Sequence, residues 1–369
     1  MTSARGFAVQ DWQRIQQDWK AWWAGELDRP LIVIDARDPS YPETTTEDRV
    51  PHIFMTQFPL DMPVEQVLDQ VQPGLDATYP YGDSFPRWWV NFGPGIMAGF
   101  LGAGVEYAPR TTWYHPVGVP SLADLHLTYD PDNVWWRRVL EITRAALDRW
   151  GRDLAIGLTD IGGNLDILAS LRGTQNLLLD LYDAPDELER LTREITGLWL
   201  RYYDELCTVI EPAGHGITCW GPLWRPGRGY MLQSDFAYMI SPEMFDRYVL
   251  PDLEACCAAM DYGFYHLDGK GQLAHLDKLI ALPRLRGIQW QPGDGAPMAD
   301  EWPDVLRRIR DRGKLCQVYL TRAGTRHLLR ESDGRGFVIE ITETLTPEEA
   351  EDFLHTLADE TGVAVPLRS

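Results

Sequence analysis

Residues 263–271 read GFYHLDGKG, a short apolar run that ends at His266 and Asp268 before a glycine-rich turn. Side chains two residues apart in a strand point to the same side, so a strand here presents an imidazole and a carboxylate to one small volume. A metal site or an acid–base pair needs this combination. The alternative is a buried histidine whose ring is held by Asp268, and a single HxD pattern is compatible with both.

Similar apolar runs recur on both sides of this stretch. From about residue 154 onward they alternate with amphipathic helical patterns, which is typical of repeated β/α units. The runs are LAIGLTD (154–160), GITCW (216–220), GYMLQSD (229–235), FYHLD (264–268), LRGIQW (285–290), LCQVYL (315–320) and FVIEIT (337–342). An eighth strand can come from RPLIVID (29–35) or RWWVNFG (87–93). We therefore predict an α/β protein built on one closed (β/α)8 TIM barrel.

The whole chain, residues 1–369, is predicted to form one domain. Residues 1–150 would add an N-terminal helix, covering loops and the first strand to the main part of the barrel in residues 151–369. Ser241 before a proline, and Thr346 three residues before Glu349, predict helix starts. Bulky apolar residues at helical spacing near the start predict a helix packed on the barrel. They are Trp12, Ile15, Trp19, Trp22 and Trp23.

Composition limits the partners of the chain. Its formal net charge is −21 and its pI is near 4.7, which disfavours binding to nucleic acid or to an anionic membrane surface. The five cysteines include no CxxC pair, which is typical of a reducing compartment. Neither an apolar leader segment nor a run long enough to span a membrane is evident. We expect a cytoplasmic protein that acts on a small molecule.

Active sites of such barrels lie at the carboxyl ends of the strands, where this sequence places carboxylates, amides and aromatic rings. We predict Asp160, Asp235 and Glu340 as catalytic groups. The residues predicted to bind substrate are Asn164, Asp166, Trp220, Gln233, Trp290, Gln291, Gln317 and Tyr319. The aromatic residues Trp88, Trp89, Trp113, Trp220 and Trp290 could form stacking walls for a neutral polar ring.

Each of these residue types also has a structural role. Asp160 and Asp235 can cap the helices that follow them, and Asp166 can interact with a helix dipole. The glutamines can satisfy backbone groups between strands, and the tryptophans can belong to the core. Glu340 and Glu343 differ by three positions, so on a straight strand only one of them faces the pocket.

A metal ion is the first chemical hypothesis for the HxD pair. His266, Asp268 and one later carboxylate would give the mixed nitrogen and oxygen ligation that zinc accepts, with a position open for water or substrate. Cys316 is an alternative third ligand, although its side chain can equally be a small buried apolar group.

Three segments resemble the uroporphyrinogen decarboxylase superfamily. They are QSDFAYMISPEMFDRYVLPDLE (233–254), YHLDG (265–269) and GFVIEITETLTPEEAEDF (336–353), and SPEMF is the most specific part. The resemblance covers roughly residue 150 to the end. It implies a (β/α)8 barrel, a possible homodimer, and membership of either the haem-pathway decarboxylases or the zinc-dependent methyltransferases that serve corrinoid pathways.

The sequence departs from both branches. Residues 1–60 lack the arginine-rich RQAGR segment of the decarboxylases, and an acidic pocket would repel a substrate with many carboxylates. The methyltransferases carry HxC and a later Cys. Here Asp268 stands in place of the first Cys, and counting from Gly336 places Glu343 at the second. A metal held by His266, Asp268 and Glu343 would be more electrophilic and would prefer oxygen ligands.

The leading hypothesis is therefore zinc-dependent methyl transfer or demethylation on a small oxygen-bearing substrate. Asp160 or Asp235 would exchange protons, and Gln233, Gln291 and Gln317 would orient the substrate. A corrinoid would come from a separate partner protein, because the DxHxxG pattern of cobalamin binding is absent. The alternatives are a decarboxylase, lyase or hydrolase acting on a sugar-like compound through paired carboxylates, and a ligand-binding protein without catalysis.

Overall fold

The computed structural model describes residues 9–41, 53–118 and 121–366. Its strands are β1 (Leu31–Arg37), β2 (Thr78–Gly82), β3 (Arg87–Trp89), β4 (Gly104–Ala108), β5 (Thr111–His115), β6 (Ala155–Gly157), β7 (Met231–Gln233), β8 (Gly263–Asp268), β9 (Leu285–Gln291), β10 (Leu315–Leu320) and β11 (Phe337–Ile341).

The α-helices surround these strands and fill the connections between them. They are α1 (Val9–Ala24), α2 (Val64–Asp76), α3 (Met97–Phe100), α4 (Val134–Trp150), α5 (Asn164–Arg172), α6 (Thr174–Asp183), α7 (Pro185–Ile210), α8 (Pro242–Tyr248), α9 (Leu250–Ala258), α10 (Leu276–Ala281), α11 (Pro303–Asp311), α12 (Arg322–Glu331) and α13 (Pro347–Thr361). Short 3-10 helices are Met55–Gln57, Leu122–Asp124, Glu211–Ala213, Asp235–Met239, Lys270–His275 and Ala299–Glu301.

The prediction of a closed TIM barrel is wrong. The main sheet has seven strands in the order β2-β1-β11-β10-β9-β8-β7, and the β1–β2 pair is antiparallel whereas its other pairs are parallel. Strands β3 and β6 pair only with each other among the described strands, and β4 and β5 form a separate hairpin. No ladder in the described ranges joins the two edges of the main sheet. The architecture is α/β with an open mixed sheet.

The predicted strand at 216–220 explains part of this difference. In place of a strand, this segment makes one isolated antiparallel bridge, from Ile217 to Arg225. The run at 154–160 forms only the three-residue strand β6, which pairs with β3. Closing a sheet requires every neighbouring pair of strands to hydrogen-bond, and these short segments do not extend the main ladder.

The predicted N-terminal helix is confirmed as α1, and its apolar face is buried. Trp19, Trp22 and Trp23 are each at most 2% exposed. The indole of Trp19 donates to the carbonyl oxygen of Asp83 at 3.0 Å, and the indole of Trp23 donates to the carbonyl oxygen of Trp224 at 2.8 Å. Indoles that bury area and satisfy their N–H groups fix this helix on the sheet.

The helix starts predicted at Ser241 and Thr346 are also confirmed. The Ser241 hydroxyl accepts from the Met244 amide, and Thr346 forms a reciprocal capping box with Glu349. Each cap satisfies an N–H that the first helical turn leaves unpaired. In the described ranges, no helix combines the length and the apolar character that a bilayer crossing requires.

Candidate functional site

A row of polar side chains crosses the parallel part of the main sheet. The register aligns Gln233 of β7 with His266 of β8, His266 with Gln289 of β9, and Gln289 with Gln317 of β10. Residues paired in this way lie on the same face of the sheet. This first row therefore brings one imidazole and three amides to one surface.

A second row lies two residues farther along the same strands. Asp268 aligns with Gln291, and Tyr319 aligns with Glu340 of β11. Because side chains alternate between faces, this row lies on the same face as the first and closer to the carboxyl ends of the strands. The two rows form the floor of a polar site at that edge of the sheet.

Hydrogen bonds along the first row fix the orientation of His266. The side-chain nitrogen of Gln289 donates to the Gln317 oxygen at 3.0 Å and to the Tyr319 hydroxyl at 3.1 Å. The Gln289 oxygen consequently faces His266 Nδ1, with which it makes a hydrogen bond. Since an amide oxygen only accepts, Nδ1 carries a proton, so in the neutral form of the ring the lone pair lies on Nε2. The Trp220 indole packs perpendicular to this imidazole, at 5.1 Å between ring centroids.

One group of side chains in the described residues can hold a metal ion, and it contains the predicted HxD pair. Potential ligand atoms of Asp235, His266 and Asp268 all lie within 4.8 Å of one another. The free Nε2 of His266 is 3.9 Å from an oxygen of Asp268. Ligand atoms of a tetrahedral zinc ion lie about 3.5 Å from one another. Small side-chain rotations would therefore bring these three atoms to bonding distance of one shared ion.

Asp235 reaches this group because a loop turns directly after β7. The 3-10 helix Asp235–Met239 begins there, and the Asp166 carboxylate accepts from its first two amides, those of Asp235 at 3.0 Å and Phe236 at 2.7 Å. Asp166 thus caps the 3-10 helix from α5. The Asp166 carboxylate therefore fixes the backbone at Asp235, which is a candidate metal ligand.

Carboxylates are crowded around this point. Burial raises the pKa of Asp160 to about 7, and the negative charge of Asp235 adds to the shift, whereas hydrogen bonds from Gly162 and Gln233 oppose it. Burial and the charge of Asp235 likewise raise the pKa of Asp166. Asp235 lies at the exposed edge of the site, where partial loss of hydration raises its pKa; His266 opposes this shift and the charge of Asp268 adds a smaller increase. A cation among these groups would relieve their repulsion.

An aromatic cavity of about 400 Å³ lies next to the metal-ligand group, because Trp220 both lines it and packs against His266. Its walls include Trp88, Trp89 and Trp220, and its floor includes Gln291, Tyr319 and Glu340. Three of the five tryptophans predicted as stacking walls therefore line one space. A cavity with indole walls and a few polar lining groups suits a flat ligand that carries hydrogen-bonding groups.

Two further cavities lie on either side of the ligand group. The loop cavity, of about 520 Å³, is lined by His266, Asp268, Tyr238 and Lys270, and it shares Gln291 and Tyr319 with the aromatic cavity. The helix cavity, of about 340 Å³, is lined by Gln233, Asp235, Asp166 and the exposed Trp113. The candidate ligands therefore face both of these spaces.

The predicted third metal ligands lie elsewhere. Glu343 accepts hydrogen bonds from the backbone and the side chain of Arg322, at the start of α12, and it is outside the Asp235 group. Cys316 is adjacent to Gln317 on β10, so its side chain points to the opposite face. Burial raises the pKa of the Cys316 thiol to about 12. The third candidate ligand in the structure is instead Asp235.

Three predicted site residues contact other protein groups and do not line the cavities described above. Asn164 donates to the carbonyl oxygen of Tyr248 at 2.8 Å and accepts from the amide of the next residue. Trp290 is on the opposite face of β9 from Gln289 and packs edge-on against Trp302. Asp160 lies behind Gln233, which donates to it at 3.4 Å. These residues shape the site from outside the cavities.

The sequence interpretation missed an ion pair inside the aromatic cavity. Arg87 makes a two-point contact with Asp35, and the side chains are 14% and 15% exposed. Asp35 does close a predicted strand, RPLIVID, which was the available signal. Its partner on β3 is distant in the chain, so no motif links the two.

Comparison with known proteins adds no identity to this site. No protein-family model matches the chain. The search of curated proteins likewise found no match.

Proposed function

We propose that this chain is a divalent-metal-dependent enzyme that acts on a small oxygen-bearing substrate. The observation that carries the proposal is the convergence of Asp235, His266 and Asp268 within 4.8 Å, beside a 400 Å³ aromatic cavity. One imidazole and two carboxylates are ligands that zinc accepts. Zinc is therefore the ion to test first.

The residues around the group fit a metal centre in two respects. Gln289 orients His266 so that Nε2 faces Asp268, which is the support from outer residues that metal-binding histidines normally have. Asp235 and Asp268 are like charges in close proximity, and a cation would offset their repulsion. When bound, such an ion would polarise a substrate oxygen as a Lewis acid.

The chain's own residues would position the substrate. Gln291 and Tyr319 line both the aromatic cavity and the loop cavity, so a ligand that contacts them lies between the metal ligands and the indole walls. Glu340 aligns with Tyr319 and lines the aromatic cavity. In this proposal Glu340 exchanges a proton with the substrate. The buried Asp160 is a positioning residue, because it accepts a hydrogen bond from the Gln233 amide and so orients that amide.

Methyl transfer is the reaction we propose for this site. Support comes from the ligand set, because carboxylates leave a metal ion more electrophilic than thiolates do and favour oxygen-bearing substrates. Polarising an ether oxygen makes it a better leaving group, so that its methyl group can pass to a nucleophile. A separate corrinoid protein would supply that nucleophile.

A second candidate is a lyase, decarboxylase or hydrolase that works through two carboxylates. The observation in its favour is that Asp35 and Glu340 both line the aromatic cavity. Paired carboxylates perform acid–base chemistry on sugars in many enzymes. This candidate requires no metal, so metal dependence separates it from methyl transfer.

Elemental analysis of the purified protein tests the proposal. We expect about one zinc per chain after incubation with zinc and desalting, and loss of that zinc in the His266→Ala and Asp235→Asn variants. The matched control is Glu343→Gln, which removes a carboxylate that contacts Arg322 and should retain the metal. A parent protein that binds no zinc would refute the proposal. Equal loss in Glu343→Gln would show that the ligand assignment is wrong.

A further inference from the structure

The loop cavity is the space that leads to His266. Of the three cavities described above, it alone is lined by this side chain, together with Asp268 and Tyr238. The His266 side chain is nevertheless only 15% exposed. Neighbouring groups therefore restrict the approach of a ligand to its Nε2 atom.

Tyr238 lies on the same side of its helix as a candidate metal ligand. It belongs to the 3-10 helix Asp235–Met239 and follows Asp235 by three positions. Side chains three residues apart eclipse one another in a 3-10 helix. The Tyr238 side chain therefore extends beside Asp235, and it lines the loop cavity with the other two candidate ligands, His266 and Asp268.

The tyrosine ring rests directly on the glycine turn that follows β8. A Cβ atom at Gly269 would lie 2.8 Å from a ring carbon of Tyr238, and a Cβ atom at Gly271 would lie 2.7 Å from two ring carbons. Carbon atoms in favourable contact stay about 3.5–4.0 Å apart. Gly271 has no positive φ, and the three atoms nearest to its added Cβ all belong to Tyr238. The position of the tyrosine ring thus accounts for a glycine at residue 271.

Two sets of hydrogen bonds hold the backbone that carries Tyr238. Asp166 accepts from the first two amides of the 3-10 helix. The carbonyl oxygen of Ala237 accepts from Nε2 of the buried His275 at 2.9 Å. Although the Tyr238 side chain is half-exposed, its ring is therefore confined between its own helix and the glycine turn.

We propose that Tyr238 is a specificity-determining residue, whose ring limits the size of the group that reaches Nε2 of His266 through the loop cavity. The proposal rests on the proposed function in so far as this group belongs to the substrate. A small group such as a methoxy or hydroxyl group would pass the ring, and the larger part of the substrate would remain in the aromatic cavity. Fixed pocket walls discriminate between ligands that differ by as little as one methylene group.

Alkylation of the metal-free protein tests this size limit. Bromoacetamide and 2-bromoacetanilide share a reactive CH2–Br group, from which an unprotonated imidazole nitrogen displaces bromide, but the second reagent also carries a phenyl ring. Peptide mass spectrometry gives the rate at His266 relative to the rate at the exposed His355, which corrects for the intrinsic reactivity of each reagent. The size ratio is this relative rate for bromoacetamide divided by that for 2-bromoacetanilide.

Variants of Tyr238 should change the size ratio in a defined way. Tyr238→Ala removes the ring and should lower the ratio about tenfold, because the larger reagent gains access to His266. Tyr238→Phe keeps the ring and should leave the ratio near that of the parent.

Gly271→Ala provides a second test that leaves the tyrosine in place. Its added methyl group would displace the ring, so it should change the size ratio at least about threefold in the parent and leave it unchanged in the Tyr238→Ala background. Gly197→Ala is the matched control, because no atom lies within 4 Å of a Cβ at that position. It should leave the ratio unchanged.

Four outcomes would overturn the proposal. They are an unchanged ratio in Tyr238→Ala, an equal decrease in Tyr238→Phe, equal effects of Gly271→Ala with and without the tyrosine ring, and no alkylation of His266 in any variant. Because the alkylations are made without metal, a protein that binds no zinc could still show the expected ratios. A protein that binds zinc but shows none of them would keep the proposed function and lose this inference.

Discussion

Replacing Gln289 by leucine should weaken zinc binding without removing a ligand. Gln289 is fully buried, and its amide nitrogen bonds to Gln317 and Tyr319, so only its oxygen faces His266. Leucine has a similar volume but accepts no hydrogen bond. His266 Nδ1–H would lose its partner, and both the tautomer and the ring orientation would become less well defined.

The expected loss is about 10- to 100-fold in zinc affinity, as for other residues that support metal-binding histidines. This corresponds to roughly 1.4–2.7 kcal/mol. Competition titration of chelator-treated protein against a zinc-binding dye measures the change directly. Thermal unfolding with and without zinc gives a second reading, because an ion that binds only the folded state stabilises it.

Two further variants make the test specific. Gln289→Glu keeps an acceptor that faces His266 but loses the two hydrogen bonds donated to Gln317 and Tyr319, so it should retain more zinc affinity than Gln289→Leu. Trp290→Phe changes the adjacent residue, whose side chain is on the opposite face against Trp302, and should leave zinc affinity unchanged. A Gln289→Leu protein within about threefold of the parent would refute the reasoning, because 10-fold is the smallest loss expected.

Four other predictions concern residues around the site and in the core. Asp166→Ala removes the acceptor for the amides of Asp235 and Phe236, so zinc affinity should fall about tenfold in the same titration. Burial raises the pKa of Asp252 to about 6, so the folded state binds the extra proton between pH 3.8 and 6 and loses stability as pH rises through that window. Asp252→Asn should therefore stabilise the protein by about 1.4 kcal/mol more at pH 8 than at pH 5 in urea unfolding, and an equal effect at both would contradict this. The five buried thiols should react with DTNB at pH 8 only after denaturation. Trp22→Ala should cost about 3–5 kcal/mol in the same urea assay.

The strand pattern could be predicted from the sequence because it depends on local apolar runs. All but one of the proposed runs contain a strand, and the exception is 216–220. Closure of the sheet could not be predicted in this way. It depends on hydrogen bonds between edge strands that are far apart in the chain, and the short β6 pairs with β3 instead of extending the main sheet.

The candidate ligands show the same division between local and distant information. The HxD spacing identified His266 and Asp268, since two positions on one strand share a face by geometry alone. To predict the third ligand, one would have to know how the chain turns after β7 and after β11. The chain turns after β7 and brings Asp235 to the group, whereas beyond the end of β11 Glu343 contacts Arg322. Apolar periodicity contains no information about such turns.

The fold places several acidic groups close together, and this crowding bears on the proposed metal site. Asp160, Asp166 and Asp235 all have raised pKa values, and for each the first cause is loss of hydration. The neighbouring first-row side chains, apart from His266, are amides, which supply hydrogen bonds to this region without adding charge. Protonation can relieve the repulsion, but a divalent cation would do so while the carboxylates stay ionised. This crowding of acidic groups is the electrostatic support for the metal site that we propose.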